Sequence, residues 1–263
     1  MNPLRDRVLV TLAAVLWVGG TLVGTGLVGG GGVASQGDGL FSDSATLIAP
    51  QGPAFSIWSV IYLGLAGYVL WQWLPGTTDS TWARVTRRPA AAAIALNGLW
   101  LLVVFAGWVG LSVLVMGGIV LSLGLLLRRT AGLPRAGWAA DVWVSATFGL
   151  YLGWICVATC ANIASWLVGL GVPATTTGSA VATVAVLAVV VVIAALLLRR
   201  TDQTAFRLGL VAAVVWGTGW VAAGRLSGDP RSDLVGYAAA ATAVAVALLG
   251  LASLRAPRST VAT

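Results

Sequence analysis

Beyond residue 2 the chain has two asparagines, Asn97 and Asn162, and both lie inside long apolar runs. Hydrocarbon offers a side-chain amide neither donor nor acceptor. An amide at that depth therefore turns toward the interior of a helix bundle and finds a partner there. Indoles accompany both at helical spacing: Trp100 follows Asn97, and Trp154 and Trp166 flank Asn162. Trp154, Ala158 and Asn162 recur at every fourth position, so one helix face reads large, small, polar. The small residue admits a second helix or a flat ligand. Phe55, Trp58 and Tyr62 fall at i, i+3 and i+7 and make another aromatic face. Three such faces brought together would wall an apolar pocket with a few directional groups, suited to a flat hydrophobic molecule held by stacking and burial. The same residues have a plainer use, because membrane indoles often anchor at the interface and asparagines often join helices.

Other chemistry is excluded by residue type. All fifteen basic residues are arginine, all eight acids are aspartate, and histidine is absent. Histidine-ligated haem, zinc sites with histidine and a histidine general base are thereby removed. Cys156 and Cys160 lie four apart in a hydrophobic run, too few for a four-ligand metal site, and read as small buried residues. No metal site is expected and no cofactor is required.

The elements that must position these faces are membrane spans. Of 263 residues 59% are hydrophobic and 9% charged, with a mean hydropathy of +0.95. Soluble domains carry about 25% charged residues, so the expected class is an all-α integral membrane protein. Eight apolar runs are long enough to cross: Val8–Val28, Ala54–Leu74, Ala90–Phe105, Val109–Leu127, Val142–Val168, Ala180–Leu198, Leu208–Gly224 and Leu234–Leu254. The first run is longer than the apolar core of a secretory signal, which favours a span over a cleaved leader. Only Ala106-Gly107-Trp108 separates the third and fourth, a tight hairpin. Every second connection is basic: Arg5 and Arg7, then Arg84, Arg87 and Arg88, then Arg128, Arg129 and Arg135, then Arg199, Arg200 and Arg207, and finally Arg255 and Arg258. The alternate connections hold only Arg225 and Arg231. The positive-inside rule then places both termini in the cytoplasm. The net charge of +7 is scattered in short clusters, with no continuous basic stripe, so nucleic acid is not an expected partner. Asp141 is expected at an interface near Arg135, and Trp71 and Trp73 as interfacial anchors at the end of the second span.

The segment Gly29–Gly52 is rich in Gly, Ser and Asp and ends in Pro50-Gln51-Gly52-Pro53. No lysine follows its four glycines, so it is not a phosphate loop. A loop of this length is more often functional than idle, and this one could cover the outer end of the bundle.

In three places the spacing resembles the TspO/MBR family, the tryptophan-rich sensory proteins related to the mitochondrial translocator protein. Pro53, Phe55, Trp58 and Tyr62 look like its Pro-x-Phe-x-x-Trp-x-x-x-Tyr pattern in the second helix. Asn97 and Trp100 look like its Asn-x-x-Trp in the third, and Tyr151, Trp154, Ala158 and Asn162 are similar to its Tyr-x-x-Trp-x-x-x-Ala-x-x-x-Asn in the fifth. The resemblance covers roughly residues 1–170. It implies a five-helix bundle whose outer half holds a pocket closed by the first loop, and it implies a porphyrin or other tetrapyrrole as ligand. Carried over by position, Phe55, Trp58, Tyr62, Asn97, Trp100, Trp154, Ala158 and Asn162 would line or brace that pocket. Trp58 and Trp154 would stack, Asn97 and Asn162 would brace, and Ala158 would allow close approach. Two departures bear on the ligand: Leu150 stands where the family has proline before the tyrosine, and the loop lacks the family's Trp-Tyr motif, with Phe41 its lone aromatic.

Residues 171–263 have no counterpart in that five-helix core and are expected to form a three-helix extension, used for packing or oligomerisation. The expected function is a receptor or sensor in a bacterial plasma membrane, its partners lipid, a hydrophobic small molecule and a second copy of itself. A facilitated transporter is the alternative. A porphyrin-degrading enzyme ranks last, because no acid–base pair falls among the pocket residues.

Overall fold

The computed structural model describes residues 3–27 and 32–255; Gly29–Gly31 of the glycine run and Arg258 lie outside the described residues. Eight helices in it are long and apolar enough to cross a bilayer: α1 Pro3–Gly24, α2 Gly52–Trp71, α3 Thr81–Phe105, α4 Val109–Thr130, α5 Trp138–Gly169, α6 Thr177–Arg199, α7 Thr204–Ser227 and α8 Asp233–Arg255. The protein is an all-α integral membrane protein, and the count of spans is the expected one.

Helices α1 to α5 form one group. α1 lies along α3, α3 along α4, and α4 along α5, while α2 sits on the first half of α5. Small residues set the closest crossings, since lipid-facing helices associate by packing and not by hydrophobic exclusion. A Cβ on Gly20 of α1 would stand 2.4 Å from the Gly98 carbonyl oxygen of α3. On α2, Gly64 and Gly67 leave room for Thr147 and Trp143. The part of α5 that carries Trp143 is a π-helical turn, Asp141–Ala146, in which Thr147 Oγ1 donates to the Val142 carbonyl at 2.9 Å. Such wide turns re-aim side chains within a helix.

The remaining helices dock through α7. It runs along α5, α8 runs along α7, and α6 along α8. The α5–α7 contact is a glycine crossing. Cβ atoms on Gly149 and Gly153 would fall 2.3 Å and 2.4 Å from the Phe206 and Leu210 carbonyl oxygens, and one on Gly209 would fall 2.5 Å from that of Ala146.

Two local expectations are corrected. α3 begins at Thr81, nine residues before Ala90, and runs through Pro89. The arginines of its first turns have found tertiary partners: buried Arg87 donates to the Thr77 carbonyl at 3.1 Å, and Arg88 pairs with Asp6 of α1 at 3.1 Å. Those contacts, with Trp82 Nε1 donating to the Pro134 carbonyl at 2.9 Å, hold a helix that charge alone read as loop. Trp71 is not an interfacial anchor; it is buried against Tyr68. Trp73 is exposed, donating to Thr11 Oγ1 at 3.1 Å with the Arg7 guanidinium over its ring. Asp141 does bond Arg135. That hydrogen bond, aided by the carboxylate's charge, raises the Arg135 guanidinium above its ordinary range.

Candidate functional site

The aromatic faces of α2, α3 and α5 meet at the end of the bundle that bears the first loop. Trp58 is central. Its ring centroid lies 5.2 Å from Tyr62, 5.9 Å from Tyr151 and 6.1 Å from Trp154, the last two edge-on. Phe55 meets Trp154 edge-on at 5.8 Å. Edge-to-face pairs at these separations put the positive ring edge on the negative ring face and fix each plane. Trp154, 1% exposed, is the floor of this cluster.

The asparagines are cross-braces. Tyr62 donates its hydroxyl to Asn97 Oδ1 at 3.2 Å, joining α2 to α3. Trp100 Nε1 donates to Asn162 Oδ1 at 2.9 Å, joining α3 to α5, and Asn162 Nδ2 donates to Ser112 Oγ of α4 at 2.8 Å. Ser112 Oγ donates in turn to the Val109 carbonyl at 2.6 Å. An indole N–H can only donate, so it fixes which side of the Asn162 amide is oxygen. Both asparagines are buried. The Asn162 amide is thus bonded through both its oxygen and its nitrogen, and that of Asn97 through its oxygen, at a depth where an unpaired amide would be costly.

Two adjoining cavities open beside this frame. The inner one is a cleft of about 50 Å³ among α2, α3, α4, α5 and the loop, and seven of the eight expected site residues line it: Phe55, Trp58, Asn97, Trp100, Trp154, Ala158 and Asn162. The outer one is larger, about 540 Å³, and lies between α1, α2, α3 and the loop. Tyr62, the eighth, lines the outer cavity and not the inner. Phe55, Trp58, Trp100, Phe41 and Val33 wall both. Small-molecule sites usually span about 300–1,000 Å³, so the room lies outside the α2–α3–α5 hollow that the sequence points to.

Several wall residues gave no sequence signal. Thr21 and Gly24 of α1 line the outer cavity; they are small residues in an apolar run, with nothing to mark them. Met116 and Ile119 bring in α4. Ser112, which binds Asn162 from α4, is one of two serines in its apolar run, and nothing in the sequence sets it apart.

The loop roofs both cavities. Its chain passes through three successive residues with positive φ, Gly37, Asp38 and Gly39 at 58°, 57° and 80°. Glycine takes this conformation without steric cost, and aspartate tolerates it better than most. The turn delivers Phe41 edge-on to Trp100 at 6.1 Å. Leu47, Ile48 and Ala49 are buried beyond it.

Comparison with curated proteins and with solved structures finds no match for this chain. A family model described as TSPO-like protein does match, over residues 10–252, so the match runs on past the fifth helix and into α8. With its helix order, paired asparagine braces and aromatic cluster as described, the chain belongs to the TSPO-like protein family.

Proposed function

We propose that the protein is a membrane receptor or sensor that holds a flat hydrophobic ligand of the tetrapyrrole class. The carrying observation is Trp58. Its half-buried ring is a wall of both cavities, and Tyr62, Tyr151 and Trp154 hold its plane. A fixed aromatic plane beside an apolar space favours a planar ligand, because no ring has to be ordered on binding. The ligand lies in the outer cavity with one edge toward the inner cleft, since only the outer volume admits a multi-ring body. Asn97 and Asn162 shape the site through the residues they hold.

Binding is favoured over catalysis. Among the described residues the one carboxylate on the cavity walls is Asp43, and its Oδ2 accepts from the Gly52 backbone N–H at 2.9 Å. Acid–base chemistry asks for a paired group within reach of the substrate. The wall therefore supports a holding role.

The test is tryptophan fluorescence of the purified protein titrated with protoporphyrin IX. Saturable quenching at micromolar ligand supports the reading, and its absence refutes it. Proteoliposomes loaded with the same porphyrin separate a receptor, which binds without flux, from a facilitated transporter.

A further inference from the structure

We propose that α7 is the latch of the loop that roofs the site, with Arg225 as its positioning residue. Arg225 sits on the last turn of α7 and is 1% exposed. No carboxylate forms an ion pair with it among the described residues. Its guanidinium is spent on backbone oxygens instead. Nη2 donates to the Asp43 carbonyl at 2.8 Å and to that of Asp229 at 3.1 Å, and Nη1 donates to the Thr46 carbonyl at 3.1 Å. A buried cation needs such compensation, and hydrogen bonds from a charged donor are the strong kind. One rigid fork thereby ties the roof loop to α7.

The same helix holds the end of the loop at Gln51 and the first turn of α2 at Ala54. Trp216 Nε1 donates to the Ala54 carbonyl at 2.9 Å, and the Trp220 carbonyl accepts from the Gln51 backbone N–H at 3.3 Å. Between these polar ties, Leu47 is buried in a small apolar cluster with Val221 of α7, Leu187 of α6 and Val235 of α8. All three C-terminal helices therefore grip the segment Asp43–Ala54. That segment carries Ala49 and Pro50, which line the inner cavity, and begins two residues after Phe41, which walls both. Residues 171–263 on this view set how firmly the roof is held. The polar fork fixes the loop's position, while the apolar plug at Leu47 keeps it down.

The role in ligand exchange rests on the proposed binding function; the grip on the loop does not, and the experiment separates the two. Hydrogen exchange is measured on the full chain in nanodiscs without any ligand, for the parent, Arg225→Gln, Arg225→Lys and Trp216→Phe. Loss of the fork should raise exchange across residues 40–52 by about tenfold or more, the value of one to two charge-assisted hydrogen bonds. The cores of α3, α4 and α5 should keep their protection. Lysine, a point donor, should restore part of the effect, and Trp216→Phe, which keeps the ring and removes the donor, should show a smaller loss in the same segment. Protoporphyrin IX dissociation should accelerate about tenfold in Arg225→Gln. Unchanged loop protection in both Arg225→Gln and Trp216→Phe overturns the latch, as does exchange that rises equally in every helix. A loosened loop with unchanged porphyrin dissociation overturns the roof's part in exchange. If the parent binds no porphyrin, the binding function fails, and the exchange data still decide the latch.

Discussion

The Trp100 indole N–H donates to the Asn162 amide oxygen at 2.9 Å, and this bond fastens α3 to α5 beneath the roof loop. Each residue is on the cavity wall, yet each is held by the other. Interhelical hydrogen bonds in membranes average about 0.6 kcal/mol and reach roughly 1.7, because the unfolded chain also finds partners. A double-mutant cycle of Trp100→Phe with Asn162→Leu, read by unfolding in micelles, should return a coupling in that range. The same cycle with Trp154→Phe in place of Trp100→Phe should return none, because the Trp154 N–H has no hydrogen-bond partner among the described residues.

The glycine crossing of α5 with α7 predicts a sharp contrast between sites. Gly153→Ala places a methyl 2.4 Å from the Leu210 carbonyl oxygen, a backbone atom that cannot swing aside. The helices must part, at a cost of about 1–3 kcal/mol. Gly219, on the same α7, has nothing within 4 Å of its would-be Cβ. There Gly219→Ala should stabilise by about 0.5–1 kcal/mol through helix propensity alone. Thermal unfolding of both variants in one detergent checks the pair.

How much of this was legible in the sequence follows from where the information sits. Eight spans were legible because apolar length and arginine spacing are local properties, as are the Trp154–Ala158–Asn162 and Phe55–Trp58–Tyr62 faces. The true start of α3 was not, because the groups that accept Arg87 and pair with Arg88 lie outside α3, in the α2–α3 turn and in α1. The outer cavity was not legible either. It arises because α1 and α2 meet along a short stretch, with Trp17 on Tyr62 at 5.1 Å, and leave a gap beyond it that Thr21 and Gly24 line. A gap between helices has no residue signature. Arg225 read as a loop charge from its position after the seventh apolar run, and only the folded loop supplies the carbonyls that bury it.

Trp58 should matter to affinity in a way that exposed indoles do not. Trp58→Ala removes the ring that both cavities share, and protoporphyrin IX affinity should fall about tenfold, the sum of lost contact area and lost ring geometry. Trp138 is 73% exposed at the start of α5, and Trp138→Phe should leave affinity unchanged. The porphyrin's own absorbance is the readout, which avoids the change in protein fluorescence that either substitution brings.

The unequal volumes of the two cavities allow the ligand's seat to be located. Ala158 lines only the inner cleft of about 50 Å³, and Thr21 lines only the outer space of about 540 Å³. Ala158→Leu adds three carbon atoms to a cleft with little room, while Thr21→Phe projects a ring into the larger one. With the ligand in the outer cavity, Ala158→Leu should hold affinity within about twofold and Thr21→Phe should reduce it about tenfold or more. The reverse pattern would place the ligand between Trp58, Trp100 and Trp154. The inner cleft would then have to open on binding, which requires Trp100 to part from Asn162 or Phe41 to leave Trp100. Trp100→Phe distinguishes these routes, because it removes the hydrogen bond and keeps an aromatic edge for Phe41.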